Sequence, residues 1–304
     1  MLIELRAASL NNRDTAVISG GYPARFPLVP LSDGVGIVVA TGPNVTRVQV
    51  GDRVCPIYAP EWLSGAPDRE MLGRALGGGT DGVLRDKMVA HQNAVVKVPA
   101  HLSDEEAACL PVAGVTAWSA LRTAGLTSAD TVLVEGTGGV SLFALQLAKA
   151  AGARVIAVAS GADRSRRAKQ LGADEVVDRS ASSDWSKDVL AATAGKGVDV
   201  VVEVGGADSL PKAAQCLRLG GRISAVGFAS GPVVSLPLPL LIPKMATLRG
   251  ILVGSRETFE DLNRIVTQHR LQPVIDRSFP RDQFNEAFTH FKASRQFGKV
   301  VLKY

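Results

Sequence analysis

Apolar residues are spaced in two different ways along this chain. From Met1 to about Pro111 they form short runs, Leu2 to Ala8, Gly34 to Ala40, Arg53 to Ile57, Val83 to Ala90 and Ala94 to Val98, separated by glycine, proline and aspartate. Runs of this length between turn residues predict strands, here of a partly antiparallel β domain. The first run begins at the initiator methionine, which leaves one sheet edge without chain to cover it, so residues are expected to be missing before it. Pro60 to Gly82, with Trp62, Gly65 and Gly77-Gly78-Gly79, reads as too polar for a core element and predicts a functional flap or an ordered surface loop. Beyond Ser103 the acidic first turn Asp104-Glu-Glu opens a helix, and Pro111 to Leu121 predicts a second, buried one.

The rhythm then becomes regular. Strand-like runs at Thr131, Arg154, Glu175, Val198, Arg222 and Thr247 take turns with helical patterns after Val140, Asp163, Asp184, Asp208 and Arg256. Such alternation predicts right-handed crossovers and a parallel sheet covered on both faces, a doubly wound α/β fold. The last stretch leaves the rhythm with Pro273 to Phe279, a helix through Phe284 to Phe291 and a terminal strand Lys299 to Lys303, and is expected to return to the first domain. The expected boundaries are 1–112 with 270–304 for the β domain and 113–269 for the parallel-sheet domain.

The stretch Thr131 to Ala151 organises the rest. A β-branched run to Glu135, a turn with Gly136, Gly138 and Gly139, and apolar positions at Val140, Phe143, Ala144, Leu147, Ala148 and Ala151 make a strand, a glycine turn and a helix. Glycine lets backbone N–H groups approach a pyrophosphate while the helix dipole points at the same charge, so Gly136, Thr137, Gly138, Gly139 and Val140 are candidate dinucleotide contacts. The third motif position carries Ser141 instead of glycine. A purely structural βα turn is the competing reading of this motif.

An NAD site has a carboxylate at the end of the second strand to hold the ribose hydroxyls. Here Arg154-Val-Ile-Ala-Val-Ala ends in Ser160, and Asp163 comes only a turn later, followed by Arg164, Arg166 and Arg167. A guanidinium facing the 2′-phosphate contributes roughly 1.5 to 3 kcal/mol as a charge-assisted hydrogen bond, so NADPH is expected in preference to NADH, with Arg164 as its contact. The alternative is an exposed helix face with Asp163 as N-cap. Phe228, Gly254 and Ser255 follow later strands at the edge where open α/β sheets bind ligands and are secondary candidates.

Composition narrows the class. With 304 residues and 46% hydrophobic content the chain suffices for two domains, and its net charge of +5 is carried by scattered basic residues with only 5% aromatics, so no nucleic-acid partner is expected. Gln146, Lys149 and the prolines around Leu240 interrupt the longest apolar stretches, and no cleavable leader is evident, so neither a membrane partner nor export is expected and the cytoplasm is the expected location. Cys55, Cys109 and Cys216 are far apart and odd in number, which predicts buried free thiols.

Ala7-Ala-Ser-Leu-Asn-Asn-Arg-Asp14, Val50-Gly-Asp-Arg-Val54, Ala113-Gly-Val-Thr-Ala-Trp118, Gly136-Thr-Gly-Gly-Val140, Leu171-Gly-Ala-Asp174 and Gly298-Lys-Val-Val-Leu302 together resemble the medium-chain dehydrogenase/reductase superfamily across essentially the whole chain. The sequence is most similar to its quinone oxidoreductase and zinc-type alcohol dehydrogenase-like branch. The resemblance implies a Rossmann domain joined to a mostly β, GroES-like substrate domain. It also implies that Asn11 lines the nicotinamide pocket, that Asp14 braces that loop, that Thr116 sits against the nicotinamide and that Lys299 approaches the pyrophosphate. A turn-forming amide for Asn11, a helix N-cap for Asp14 and plain packing for Thr116 are the alternatives.

Two departures bear on chemistry. Zinc-dependent members place cysteine where this chain has Asn11, a His-Glu pair at Ser32-Asp33 and a further ligand near Val112, and their cysteine-rich lobe falls at Pro60 to Gly82, which has no cysteine; no metal is therefore expected. Relatives often carry tyrosine at Asn12, and Leu84-Arg-Asp-Lys87 stands where Ala-Glu-Tyr is usual, so water is left as a proton source. Members also carry further chain ahead of the position of Met1. Without zinc to hold a developing alkoxide, a conjugated acceptor is the easier substrate. The expected activity is NADPH-dependent hydride transfer to a quinone or α,β-unsaturated carbonyl, with zinc-free NADP-dependent alcohol dehydrogenation as alternative and an NADPH-binding regulator or inactive paralogue as the reading from another class. The apolar strand from Ala246 to Gly254 would be a sheet edge, which invites a homodimer.

Overall fold

The computed structural model describes residues 1–22, 24–182 and 184–304. In chain order, β1 (Leu2–Ser9), α1 (Asn12–Ile18), β2 (Asp33–Ala40), β3 (Arg53–Pro56), α2 (Arg69–Gly73), β4 (Lys87–Val89), β5 (Val95–Lys97) and α3 (Asp104–Ala107) lead to a π-helical turn, Leu110–Gly114. Then come α4 (Val115–Thr123), β6 (Thr131–Glu135), α5 (Gly139–Ala150), β7 (Arg154–Ala159), α6 (Ala162–Gln170), β8 (Glu175–Asp178), α7 (Trp185–Ala192), β9 (Val198–Glu203), α8 (Leu210–Cys216), β10 (Leu217–Ala225) and β11 (Thr247–Gly250). The chain ends with α9 (Arg256–His269), β12 (Ile275–Pro280), α10 (Phe284–Lys292) and β13 (Lys299–Lys303). It divides into two compact units, Met1–Val115 with Val253–Tyr304, and Thr116–Leu252.

The first unit is built on a mostly antiparallel sheet in the order β12-β13-β1-β2-β3-β5, with β4 pairing to β1. Alternation along β1 buries Ile3 and Leu5 in a core completed by Val38, Val54, Phe279, Phe291, Val300 and Leu302, residues from both ends of the chain. Two features differ from the sequence reading. The segment 60–82, expected outside the core, inserts Leu76 into it and buries Trp62, and a Cβ at Gly82 would lie 1.8 Å from the Leu31 carbonyl oxygen, so that backbone approach requires glycine. The second is the span 253–269, which the strand–helix rhythm places with the parallel sheet; it groups with the first unit. The reason is local: Phe259, Leu262 and Val266 are buried, the Arg256 N–H donates to the Trp62 carbonyl at 3.0 Å, and Asn263 Nδ2 donates to the Lys97 carbonyl at 2.8 Å.

The second unit holds a six-stranded, all-parallel sheet in the order β11-β10-β9-β6-β7-β8. Its central strands are continuous apolar runs because helices cover both faces; in β6 only Thr131 is not buried. Chain order runs outward from β6 to β7 and β8, then jumps back to β9, so the direction of winding reverses between β6 and β9. A parallel doubly wound sheet in one unit and a mostly β sheet in the other is the architecture read from the sequence, and a crevice at the carboxyl ends of β6 and β9 is where such sheets bind ligands.

Candidate active site

At the carboxyl end of β6, Gly136 (φ +75°) turns the chain, Gly138 is the N-cap of α5, and the Ser141 hydroxyl donates to the Glu135 carbonyl at 2.6 Å, tying the helix start to the strand end. Gly138 has φ −79° and ψ 175°, a conformation any residue adopts, and a Cβ built there meets no atom within 4 Å. Nothing in the fold asks for glycine at this position; a ligand lying against the backbone would. Thr137 is buried beside it, while Gly139 and Val140 are half-buried in the first turn of the helix. The turn therefore fits a pyrophosphate: open N–H groups at a helix N-terminus, without side chains in the way.

The next strand end shows what the sequence reading missed. Ala159 pairs with Asp178, so Ser160 and Arg179 emerge side by side, and Arg179 Nε donates to Ser160 Oγ at 2.5 Å. Asp178, a carboxylate at this same edge, accepts from Gly161 N–H (2.9 Å) and from the N–H and hydroxyl of Ser180, and those bonds hold it below the ordinary carboxylate range. Arg164 stands half-buried in the first turn of α6, and Arg166 pairs with Asp163 at 2.5 Å on the exposed side; the N-cap of α6 is Gly161 rather than Asp163. An arginine directly after a strand was the signal available in the sequence, readable only once β7 and β8 were known to be neighbours.

In the first unit, Asn11 opens α1 as its N-cap, and its N–H donates to Asp14 Oδ2 at 2.8 Å, so Asp14 serves the cap from the third helical position instead of being the cap itself. Lys299, at the start of β13, is 3% exposed, and its ammonium donates to Asn11 Oδ1 at 2.6 Å and to the Leu10 carbonyl at 2.7 Å. The resemblance aims Lys299 at a pyrophosphate; the structure instead buries its charge against Asn11. Asp33 is fully buried, accepting from Ser32 Oγ at 2.9 Å and from Val112 N–H at 3.1 Å. Burial pushes Asp14 up to about 7 against the pull of Arg13, and lifts Asp33 against the pull of Lys299.

Asn11, Ser32, Asp33 and Val112 are the positions that hold metal ligands in zinc-dependent members, and the fold does bring Ser32, Asp33 and Val112 together, with Lys299 bridging the charge of Asp33 and the amide of Asn11. Their chemistry does not fit zinc: an amide whose oxygen is taken, a hydroxyl, a backbone N–H and a carboxylate already hydrogen-bonded through both oxygens, beside a lysine charge. Among the described residues no three His, Cys, Asp or Glu side chains group as metal ligands. Cys55, Cys109 and Cys216 are all buried, and burial pushes Cys109 and Cys216 each up to about 12.

The remaining candidates are spread out. Thr116 is buried in α4 of the second unit, and Phe228, beyond β10, is 68% exposed. Gly254 and Ser255 belong to the first unit, where the Ser255 hydroxyl caps α9 by accepting from Thr258 N–H at 3.2 Å.

Comparison with known proteins finds two family models along the chain. Residues 1–100 match the family model of the alcohol dehydrogenase GroES-like domain, and residues 139–268 that of zinc-binding dehydrogenase. A zinc-type alcohol dehydrogenase-like protein of Schizosaccharomyces pombe is 38% identical, over 100% of this chain and 90% of its own. A quinone oxidoreductase of Pseudomonas aeruginosa is 33% identical, over 98% of this chain and 86% of its own. Among solved structures, an NAD-dependent alcohol dehydrogenase superposes with a TM-score of 0.90 at 33% identity, covering 100% of this chain and 91% of that one. With a glycine turn open to a dinucleotide at the winding switch of one unit and a GroES-like sheet in the other, this chain belongs to the medium-chain dehydrogenase/reductase superfamily and is an NAD(P)H-dependent oxidoreductase of the alcohol dehydrogenase and quinone oxidoreductase kind.

Proposed function

We propose that this enzyme uses NADPH to reduce a quinone or an α,β-unsaturated carbonyl, and does so without zinc. The observation that carries the reading is the Asn11–Lys299 pair: Lys299 donates to Asn11 Oδ1, which turns the buried Asn11 Nδ2 toward Asp33 and leaves one of its two hydrogens as a hydrogen-bond donor. A donor of that kind stabilises the oxygen of a conjugated acceptor as charge spreads onto it, where a metal would be needed for the localised charge of a simple alkoxide. Bound at the glycine turn, the reduced dinucleotide supplies the hydride. Gly136 to Val140 hold its pyrophosphate, and Ser160 with Arg179, flanked by Arg164, forms the basic edge that favours a 2′-phosphate. The carboxylate nearest that edge, Asp178, has its Oδ1 taken by the Gly161 and Ser180 N–H groups and the Ser180 hydroxyl, which supports NADPH over NADH.

A homodimer is part of the same proposal. β11 is the edge of the parallel sheet and is exposed throughout, and Val233, Leu238, Ile242, Met245 and Leu252 stand between 48% and 84% exposed in the segment around it. An unpaired strand flanked by that much exposed apolar surface is suited to a second copy across a two-fold axis. No helix among the described residues is long and apolar enough to cross a membrane, and the proposed partner of the enzyme is a small-molecule substrate in the cytoplasm.

Loss of NADPH absorbance with a panel of quinones and enones tests the activity, on a preparation expected to be dimeric by light scattering and free of stoichiometric zinc by elemental analysis. Turnover of simple alcohols with NADP would favour alcohol dehydrogenation instead, and tight NADPH binding with no turnover on any acceptor would favour the regulator or inactive paralogue. Arg179→Ala is expected to cut the preference for NADPH over NADH by about tenfold, the value of one charge-assisted hydrogen bond; an unchanged ratio of kcat/KM values would remove Arg179 from the 2′-phosphate site.

A further inference from the structure

β6 and β9 flank the winding switch in register, Val134 opposite Val202, so the residues that end them, Glu135 and Glu203, leave the sheet side by side. Both are buried, at 5% and 1% exposure. Glu203 is richly supplied with donors: its Oε1 accepts from the N–H of Gly205 (2.9 Å), from the N–H of Gly206 (2.8 Å) and from the Ser209 hydroxyl. Glu135 is less so: its Oε1 has no partner, its carboxyl group bonds only the Ser209 hydroxyl and Glu203 itself, and the residue after it is Gly136 of the dinucleotide turn. The charged and titratable groups facing Glu135 are Glu203 from β9, Arg179 from the end of β8 and Cys216 from α8, with the Ser209 hydroxyl between.

Two carboxyl groups side by side in a buried site cannot both ionise without large repulsion. Burial first, and then the charge of Glu203, accordingly keeps Glu135 far above the usual carboxylate range. We propose that Glu135 and Glu203 share a single proton, held on Glu135, and that this proton is a condition of dinucleotide binding, because a second negative charge directly behind the glycine turn opposes the pyrophosphate. Glu203 then acts as a positioning residue that ties the 204–209 loop to the strand end, and Glu135 as its neutral partner. The proposal rests on the reading of this turn as the NADPH site.

Fluorescence titration of the full chain with NADPH between about pH 7 and pH 10 tests it. Affinity is expected to fall with rising pH, approaching tenfold per pH unit once the pair loses its proton, and Glu135→Gln, neutral at every pH, is expected to remove that fall while keeping the neutral-pH affinity. Calorimetry in buffers of different ionisation enthalpy is expected to show uptake of close to one proton per nucleotide at alkaline pH in the parent and none in the variant. A flat affinity profile in the parent, which needs no variant to fold, or an identical fall in parent and variant, would overturn the shared proton while leaving the nucleotide site intact. No NADPH binding at any pH would overturn both.

Discussion

Lys299→Met is expected to destabilise the protein by about 3 to 5 kcal/mol in urea unfolding, because it strips the positive charge from a site where Asp33 is fully buried. Methionine roughly preserves the stem, so the loss is electrostatic and not a cavity. The pH dependence follows from the sign of the shift. With Lys299 gone, the folded-state carboxyl of Asp33 rises further above its unfolded value near 3.8. The penalty then appears as pH rises through the interval between those two values and is full above the folded one, so acidification relieves it. Adding Asp33→Asn to Lys299→Met is expected to recover much of the loss, since the pair is coupled. If Lys299 were a surface contact for pyrophosphate, the single variant would unfold like the parent and lose only nucleotide affinity.

Gly138→Val is the converse case. The backbone there is extended and exposed and a new Cβ meets nothing in the protein, so the loss of stability is expected to stay within about 1 kcal/mol, the cost of valine in place of glycine at a helix N-cap. Nucleotide affinity, by contrast, is expected to fall by roughly a hundredfold or more, about 3 kcal/mol, because the branched side chain occupies the space in which the pyrophosphate meets the backbone. Binding measured by fluorescence, next to a thermal melt of the same sample, separates the two effects. Unchanged affinity would mean that the turn is a structural βα connection only, the alternative the motif left open.

The candidate site was legible where local chemistry is enough. Gly136 to Val140 declare themselves because a strand, a glycine turn and an amphipathic helix follow one another within about twenty residues, while Asn11 was singled out only by the family resemblance. The partners of those residues were not legible. Lys299 lies 288 positions from Asn11, and nothing in its neighbourhood says whether its ammonium faces solvent, phosphate or an amide. Arg179 was passed over because its place beside Ser160 depends on β7 and β8 being paired in one particular register. Glu135 and Glu203 each look like ordinary strand-end acids until the jump from β8 back to β9 puts their strands together.

The alternation of strands and helices, the two-unit plan and the glycine turn were written in the order of residues, because periodicity and turn chemistry act over a few positions. The limits of the units were not: residues 253–269 continue the strand–helix rhythm yet join the first unit, since Phe259, Leu262 and Val266 are buried in helix α9 and Asn263 bonds Lys97. Nor was the state of the buried charges, because how much a carboxylate or an ammonium costs depends on which distant groups fold against it, and only the assembled sheets decide that.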